Sequence, residues 1–100
     1  MTQTIFEARG IELPDLYEQE NVENPIAYAH FSHPSGWHWY VTEGRLEDDG
    51  DMLLFGLVNG YEKEIGYFTL KELASVGAGL DIEFEPVGIF DIYEDFDLRR

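Results

Sequence analysis

The sequence predicts one α+β domain: a mainly antiparallel β-meander of four to five strands, with one or two short helices packed on the sheet. Three observations lead to this fold class. Apolar, strand-like runs follow one another with turn residues between them. Asn59-Gly60 stands between two such runs, and Thr69 precedes a helical segment that carries Glu72. The chain has 100 residues, 44% of them hydrophobic, which is enough to form one hydrophobic core. No linker divides it.

The best-marked element is a β-hairpin over residues 52–68. Asn-Gly is the strongest two-residue hairpin signal, because a type I′ turn needs positive φ at both positions. A turn at Asn59-Gly60 fixes the register of the two strands. Residues 52–58 are apolar on both faces, which predicts a central strand covered on both sides. The expected pairs are Val58 with Tyr61, Gly56 with Lys63, Leu54 with Ile65, and Met52 with Tyr67.

A short helix is predicted over residues 70–76, directly after the hairpin. Thr69 and Glu72 have the spacing of a capping box, and Phe68 and Leu73 that of a hydrophobic staple. Gly77 fits the C-terminal cap. One face of the sheet would be covered by this helix through Leu70, Leu73 and Val76. The C-terminal segment or the N-terminal arm would cover the other face.

The N-terminal quarter carries weaker signals. Residues 1–10 show no clear pattern and are expected to form a loosely held arm or a short strand. Residues 11–17 fit a short turn or a single helical turn packed on the core around Pro14, and residues 18–24 fit a polar surface loop. We treat residues 1–100 as one domain.

The remaining strands are predicted from aromatic and β-branched runs bounded by turn residues. Strands are expected at 25–32 and 37–43, joined by a turn at 33–36 and followed by an acidic loop at 44–50. A fifth strand is expected at 80–85, and a short helix at 87–98, where strand alternation also fits.

The charge of the chain is its most unusual property. Twenty-one acids oppose six Lys and Arg residues, which gives a formal net charge of −15. Such a chain repels nucleic acid and anionic membranes, and it attracts basic surfaces, including surfaces that hold DNA. The sequence contains no cysteine and no long apolar run, which predicts a cytoplasmic protein without a membrane segment.

Several short motifs resemble those of a family of small bacterial proteins, the domain of unknown function 2958 family. The matching stretches are Trp37-His-Trp-Tyr40, Phe55-Gly-Leu-Val-Asn-Gly60, Glu64-Ile-Gly-Tyr-Phe68 and Leu70-Lys-Glu-Leu73. The resemblance covers roughly residues 11–86, and His30 and residues 81–85 depart from the family pattern. The resemblance implies a protein of the kind encoded on plasmids and other mobile elements. The resemblance implies no catalytic residues.

Three residues of the first and second predicted strands suggest a metal site or a small enzyme centre, namely His30, His38 and Glu43. If the turn at 33–36 is a four-residue loop, Ser32 pairs with Trp37, and His30 and His38 then point to opposite faces. A change of register by one residue would bring both histidines to one face. No nucleophile elbow or dinucleotide motif is present, so we predict no catalytic residue, cofactor or bound metal.

The function predicted from these observations is binding of a basic partner protein rather than catalysis. The sharper form of this prediction is a DNA mimic that is carried by a mobile element and blocks a nuclease or another DNA-binding protein. The alternative is a metal-binding protein or small enzyme that uses the His30, His38 and Glu43 region. The sequence leaves the oligomeric state open. The partner-binding surface is predicted at Glu47, Asp48, Asp49, Asp51, Glu62, Glu64, Trp37, Trp39 and Tyr40.

Overall fold

A five-stranded antiparallel sheet forms the centre of the protein, in the order β5-β4-β3-β2-β6. The computed structural model describes residues 4–93. A second, two-stranded sheet pairs β1 with β7. The α+β fold class and the β-meander are confirmed. In chain order the elements are α1 (Ile5–Ala8), β1 (Ile26–Ala27), β2 (Ala29–Ser32), β3 (His38–Leu46), β4 (Met52–Asn59), β5 (Lys63–Thr69), α2 (Leu70–Ser75), β6 (Gly79–Leu80), β7 (Val87–Gly88) and α3 (Ile89–Ile92).

Both faces of the main sheet are covered, as the apolar pattern of residues 52–58 predicts. The first face packs against α1 and α2, and the second packs against α3 and the segment before it. The C-terminal segment therefore covers the face that α2 leaves open. Buried residues of the first face are Phe6, Ala29, Phe31, Trp39, Val41, Met52, Leu54, Phe68 and Leu73. Those of the second face are Ala27, Tyr40, Leu57 and Ile89.

A β-bulge at Thr42 changes which side chains of β3 share a face. Tyr40 lies opposite Leu57, while Glu43 lies opposite Phe55, so one extra residue is accommodated between Val41 and Glu43. The hydroxyl of Thr42 donates a hydrogen bond to the Phe55 carbonyl over 3.0 Å. Because of the bulge, Tyr40 and Glu43 both point to the second face.

The register predicted for the β4–β5 hairpin is wrong. Leu57 pairs with Ile65 and Asn59 with Lys63, so three residues, not two, connect the strands. Neither Asn59 nor Gly60 has a positive φ. Gly60 is instead required by packing, because a Cβ at this position would collide with the indole ring of Trp37. A shift by an odd number of residues moves every side chain of β5 to the face opposite the predicted one.

Helix α2 begins where its capping box predicts. The Thr69 hydroxyl oxygen accepts a hydrogen bond from the Glu72 amide over 3.1 Å. The Glu72 carboxylate accepts from the Thr69 hydroxyl over 3.3 Å rather than reaching the backbone of Thr69. Gly77 has φ +77, as the C-terminal cap requires. Val76 lies beyond the helix and is 52% exposed, so the prediction that it covers the sheet is wrong.

Four other segments differ from the sequence-based predictions. Residues 4–10 lie in the segment predicted as a loosely held arm or a short strand, and they contain α1, whose Phe6 is buried in the first core. The strand predicted at 25–32 is split at Tyr28, where β1 turns to pair with β7. The strand predicted at 80–85 is reduced to β6, and the helix predicted at 87–98 to α3. Residues 94–98 of that predicted helix lie outside the described residues. No helix within residues 4–93 is long and apolar enough to cross a membrane.

Two glycines that face each other across β4 and β5 give a matched test of this packing. A Cβ at Gly56 would overlap the Tyr40 carbonyl oxygen, whereas a Cβ at Gly66 would meet no atom within 4 Å. We expect Gly56→Ala to lower the free energy of unfolding by about 1–3 kcal/mol or more through overpacking. Gly66→Ala should leave it unchanged or raise it by about 0.4–1 kcal/mol. Urea denaturation measures both, and equal effects would contradict the close approach of β3 and β4 at Gly56.

Candidate functional site

The structure distributes the predicted partner-binding residues over three separate places. Glu47, Asp48, Asp49 and Asp51 form the turn between β3 and β4. The other two acids lie at the opposite end of β4, Glu62 in the next turn and Glu64 on β5. The eight residues of β4 separate the two ends by about 25 Å at roughly 3.3 Å per residue. The predicted acids therefore do not form one contiguous patch.

The prediction that Trp39 and Tyr40 belong to a binding surface is wrong. Only 9% of Trp39 and 8% of Tyr40 is exposed, because the two side chains enter the two opposite cores. Trp37 is half-buried, and its ring packs edge-on against Tyr61 with the ring centroids 5.4 Å apart. Tyr61 itself is 96% exposed. Of the predicted aromatic residues, Trp37 alone reaches the surface to an appreciable extent.

Asp51 has a structural role at the β3–β4 turn. Its Oδ1 accepts hydrogen bonds from the amides of Met52 and Lys71, over 2.8 and 3.0 Å. Desolvation opposes ionisation of this carboxyl, but the two amides, the Thr69 hydroxyl and the charge of Lys71 together outweigh it and hold the pKa of Asp51 below its usual value. The carboxylate thus joins the start of β4 to the start of α2, and it is less free to bind a partner than Asp48 or Asp49.

The two histidines of the predicted metal site share one face, because the turn between β2 and β3 differs from the predicted one. Ser32 pairs with His38, not with Trp37, and the His33 amide donates to the Trp37 carbonyl over 3.0 Å, so residues 34–36 form a three-residue loop. Gly36 has φ +96 and closes this loop, and its amide donates to the His33 carbonyl over 2.9 Å. The prediction that His30 and His38 point to opposite faces is therefore wrong.

A linear hydrogen-bonded chain joins Asp81, His30 and His38 on the second face. Asp81 Oδ2 lies 3.0 Å from His30 Nδ1, and His30 Nε2 lies 2.8 Å from His38 Nδ1. The His30 ring stacks on Tyr40 with 4.6 Å between the centroids and contacts Phe84. Asp81 follows β6, and its amide donates to the His30 carbonyl over 2.8 Å, which places the carboxylate beside the ring.

The protonation states follow from this geometry. The hydrogen bond from His30, supported by the Glu83 amide, lowers the pKa of Asp81, so Asp81 is an ionised acceptor. His30 therefore donates through Nδ1, and when neutral it accepts from His38 Nδ1–H through Nε2. Desolvation, followed by the charge of His30, lowers the pKa of His38. When both imidazoles are neutral, the Nε2 lone pair of His38 is the proton-accepting end of this hydrogen-bonded chain.

Two tyrosines extend the polar surroundings of the chain. The hydroxyls of Tyr40 and Tyr93 are 3.4 Å apart, and Asn59 donates to the Tyr93 hydroxyl over 2.8 Å. Burial, together with Tyr93, raises the pKa of Tyr40 well above its usual value, so Tyr40 stays protonated. Within residues 4–93 no group of three or more His, Asp or Glu side chains is arranged to hold a metal ion. The arrangement can orient imidazoles and store or pass a proton.

Glu43 lies apart from the histidines and binds the N-terminal loop. Its side chain is 0% exposed, and its two carboxylate oxygens accept from the amides of Tyr17 and Gln19, each over 2.8 Å. The Gln19 amide group donates to the carbonyls of Ile26 and Thr42, and its oxygen accepts from the Ile26 amide. Tyr17, whose amide is one of the two donors, has a positive φ of 71, which is uncommon for a residue other than glycine.

Asp81 and Gln19 are the residues of these two networks that sequence reasoning misses. An isolated acid in an aromatic and β-branched run, as at Glu43, does signal a buried carboxylate that needs donors. Nothing local signals Asp81, which lies 51 positions from His30 along the chain. Its role depends on the pairing of β6 with β2.

Replacement of the buried carboxylate tests its role in holding the loop. Glu43→Gln puts an NH₂ group against a backbone amide, and we expect the free energy of unfolding to fall by about 2–3 kcal/mol. Urea denaturation measures the loss, and the amide NMR signals of Tyr17 and Gln19 should shift. The exposed Glu62→Gln is the control and should change stability by less than about 0.5 kcal/mol. Equal stability of the two variants would contradict the role assigned to Glu43.

The lowered pKa of His38 predicts a dependence of stability on pH. Its folded pKa lies below the value of 6.5 in the unfolded chain, so the unfolded chain takes up the proton first. The stabilisation from neutral His38 is complete above about pH 6.5 and is lost as the pH falls through the folded pKa. Urea denaturation at several pH values between about 7.5 and 5 should show this loss, and His38→Asn should reduce it.

The third histidine provides the control for this titration. His33 lies in the β2–β3 turn and hydrogen-bonds to Ser35, outside the chain of Asp81, His30 and His38. His33→Asn should keep the pH dependence of the unaltered protein. A dependence that is the same in His38→Asn and in the unaltered protein would show that His38 is not its source.

Comparison with known proteins gives no further assignment. No protein-family model matches the chain. No curated protein matches it either, and no solved structure matches it. The resemblance to the domain of unknown function 2958 family therefore stays a prediction.

Proposed function

We propose that the protein is a small acidic binding protein whose target is a basic protein, and that it performs no catalysis itself. The observation that carries this proposal is the placement of its charge. Among the acids that the structure describes, Glu43 alone is buried. Arg45 pairs with Asp15 over 2.8 Å, but six Arg and Lys residues cannot neutralise twenty-one acids. A surface of this kind accelerates association with basic partners and makes binding depend on salt.

The sharper form of the proposal is mimicry of DNA by a protein of mobile-element origin that acts in the cytoplasm. Its target would be a nuclease or another DNA-binding protein, whose basic cleft accepts carboxylates in place of phosphates. The charge of −15 and the resemblance stated above support this form. Because acids lie at both ends of β4, such a partner would have to contact the long side of the sheet or one end only.

A second candidate function is proton transfer or metal binding at the histidine pair, and the 2.8 Å hydrogen bond between His30 and His38 favours the proton-transfer form. The residues of this candidate are His30, His38 and Asp81, and no longer Glu43. Metal analysis of the purified protein tests the metal form. Stoichiometric zinc, nickel or iron that disappears in His38→Asn would support this candidate in place of the binding function.

Affinity capture from a bacterial lysate tests the main proposal. The immobilised protein is loaded at low salt and eluted with rising salt, and mass spectrometry identifies the eluted proteins. We expect a basic protein that is lost steeply as the salt concentration rises, because exposed charges are screened. If the protein acts as a DNA mimic, duplex DNA should displace the captured basic protein.

Two controls make the outcome of this capture decisive. A basic unrelated protein such as lysozyme measures unspecific adsorption, and the partner must bind more tightly than this reference. Asp48→Asn combined with Asp49→Asn removes charge from the β3–β4 turn and leaves the contacts of the Asp51 carboxylate in place, and the asparagine at position 49 keeps a side-chain oxygen that can accept from the Asp51 amide. Capture of no basic protein at low salt would overturn the proposal, and capture that DNA does not affect would overturn the mimicry alone.

A further inference from the structure

A groove lies between the segment that follows α1 and the segment that precedes β7. The first segment contributes Ile11 and Leu13, the second contributes Phe84, and Tyr28 lies at the break between β1 and β2. Ile11 and Leu13 pack one side against the first core and remain partly exposed. The floor therefore contains apolar side chains, of which Ile11 and Leu13 are held against the first core.

The rim of this groove is acidic. Glu7, Glu12 and Glu18 line it, and all three side chains are exposed. No Arg or Lys lines it among the residues that the structure describes. Lys63 and Arg45 are engaged elsewhere, over the Tyr93 ring and at Asp15. The protein thus does not neutralise this rim with these two basic side chains.

The backbone fixes the position of the rim. Gly10 has φ +70 and ends α1, the Gly10 amide donates to the Glu7 carbonyl, and the Ile11 amide donates to the Phe6 carbonyl over 2.8 Å. This pair of hydrogen bonds is a Schellman motif, which reverses the chain and brings Ile11 against the core. Glu7 and Glu12 therefore line one groove although the helix ends between them.

We propose that this acidic groove is the docking site for a segment of the partner that alternates Arg or Lys with apolar residues. The proposal rests on the proposed function and specifies where it is performed. Aliphatic side chains and the stems of Arg and Lys fit the apolar floor, while the charged heads reach the glutamates. Tyr28 lines the groove and supplies an aromatic ring of the kind on which a guanidinium can stack. A highly charged but hydrophilic segment would leave the floor uncovered.

Two fluorescent peptides of equal positive charge test this proposal by anisotropy at low salt. One alternates arginine with leucine and proline, and the other alternates arginine with glycine and serine. We expect the first to bind more tightly. Glu7→Gln, Glu12→Gln and Glu18→Gln together should weaken its binding about tenfold, because each exposed ion pair changes an affinity by roughly 1.5- to 5-fold.

A matched control removes the same number of charges elsewhere. Asp48→Asn, Asp49→Asn and Glu62→Gln together should change the affinity for the first peptide by less than about twofold if the groove is the site. Chemical-shift mapping gives a readout that does not depend on charge removal. The amides of Gly10, Leu13 and Tyr28 should shift on peptide binding, and those of the β3–β4 turn should not.

The outcomes separate this inference from the proposed function. Equal weakening by the two triple variants, or shifts confined to the β3–β4 turn, would overturn the groove and leave binding of a basic protein intact. Equal affinity for the two peptides would also overturn it, because the apolar floor would then contribute nothing. If the unaltered protein binds neither peptide and captures no basic protein from lysate, the proposed function fails together with the groove.

Discussion

The buried carboxylate of Glu43 is the constraint on which much of the remaining structure depends. A carboxylate with no exposed surface must find donors, and it finds two in the backbone of the loop that precedes β1. The bulge at Thr42 turns the side chain to that side of the sheet. Gln19 then continues the connection to Ile26, and β1 pairs with β7 just before α3 begins. A single acid in a central strand thus links the N-terminal loop to β1, β7 and α3, which cover the second core.

Sequence reasoning succeeds here where the determinants are local and fails where they are tertiary. The cap of α2 depends on residues within one turn, and the two-sided burial of β4 is evident from its composition, so both were predictable. The registers of the β4–β5 and β2–β3 strand pairs were not predictable from the sequence. The β4–β5 turn is decided by the Trp37 ring over Gly60, and the β2–β3 turn by a loop that is one residue shorter than expected. Each shift changes which side chains meet, and the contact between His30 and His38 follows from the second. The pairing of Glu43 with Gln19 depends on a bulge that no short motif marks.

Charge and aromatic residues have different roles in this chain. Trp39 and Tyr40 support the two cores from neighbouring positions on β3, so the aromatic residues are mainly scaffold. The acids lie mostly on turns and connecting segments, where they remain solvated. Mutual repulsion among these acids opposes folding, and the two apolar cores compensate for it. A basic partner would relieve this repulsion at the same time as it bound, so association and stability are expected to be linked.

The contact between Trp37 and Gly60 also constrains how the chain can diverge. The indole ring occupies the space that any side chain at position 60 would need, and it belongs to a different turn of the meander. A larger residue at position 60 is therefore compatible with the fold only if position 37 becomes smaller. In related sequences the two positions should covary rather than change independently. Such a correlated pair would identify distant members of the lineage even where the Asn-Gly dipeptide itself is lost.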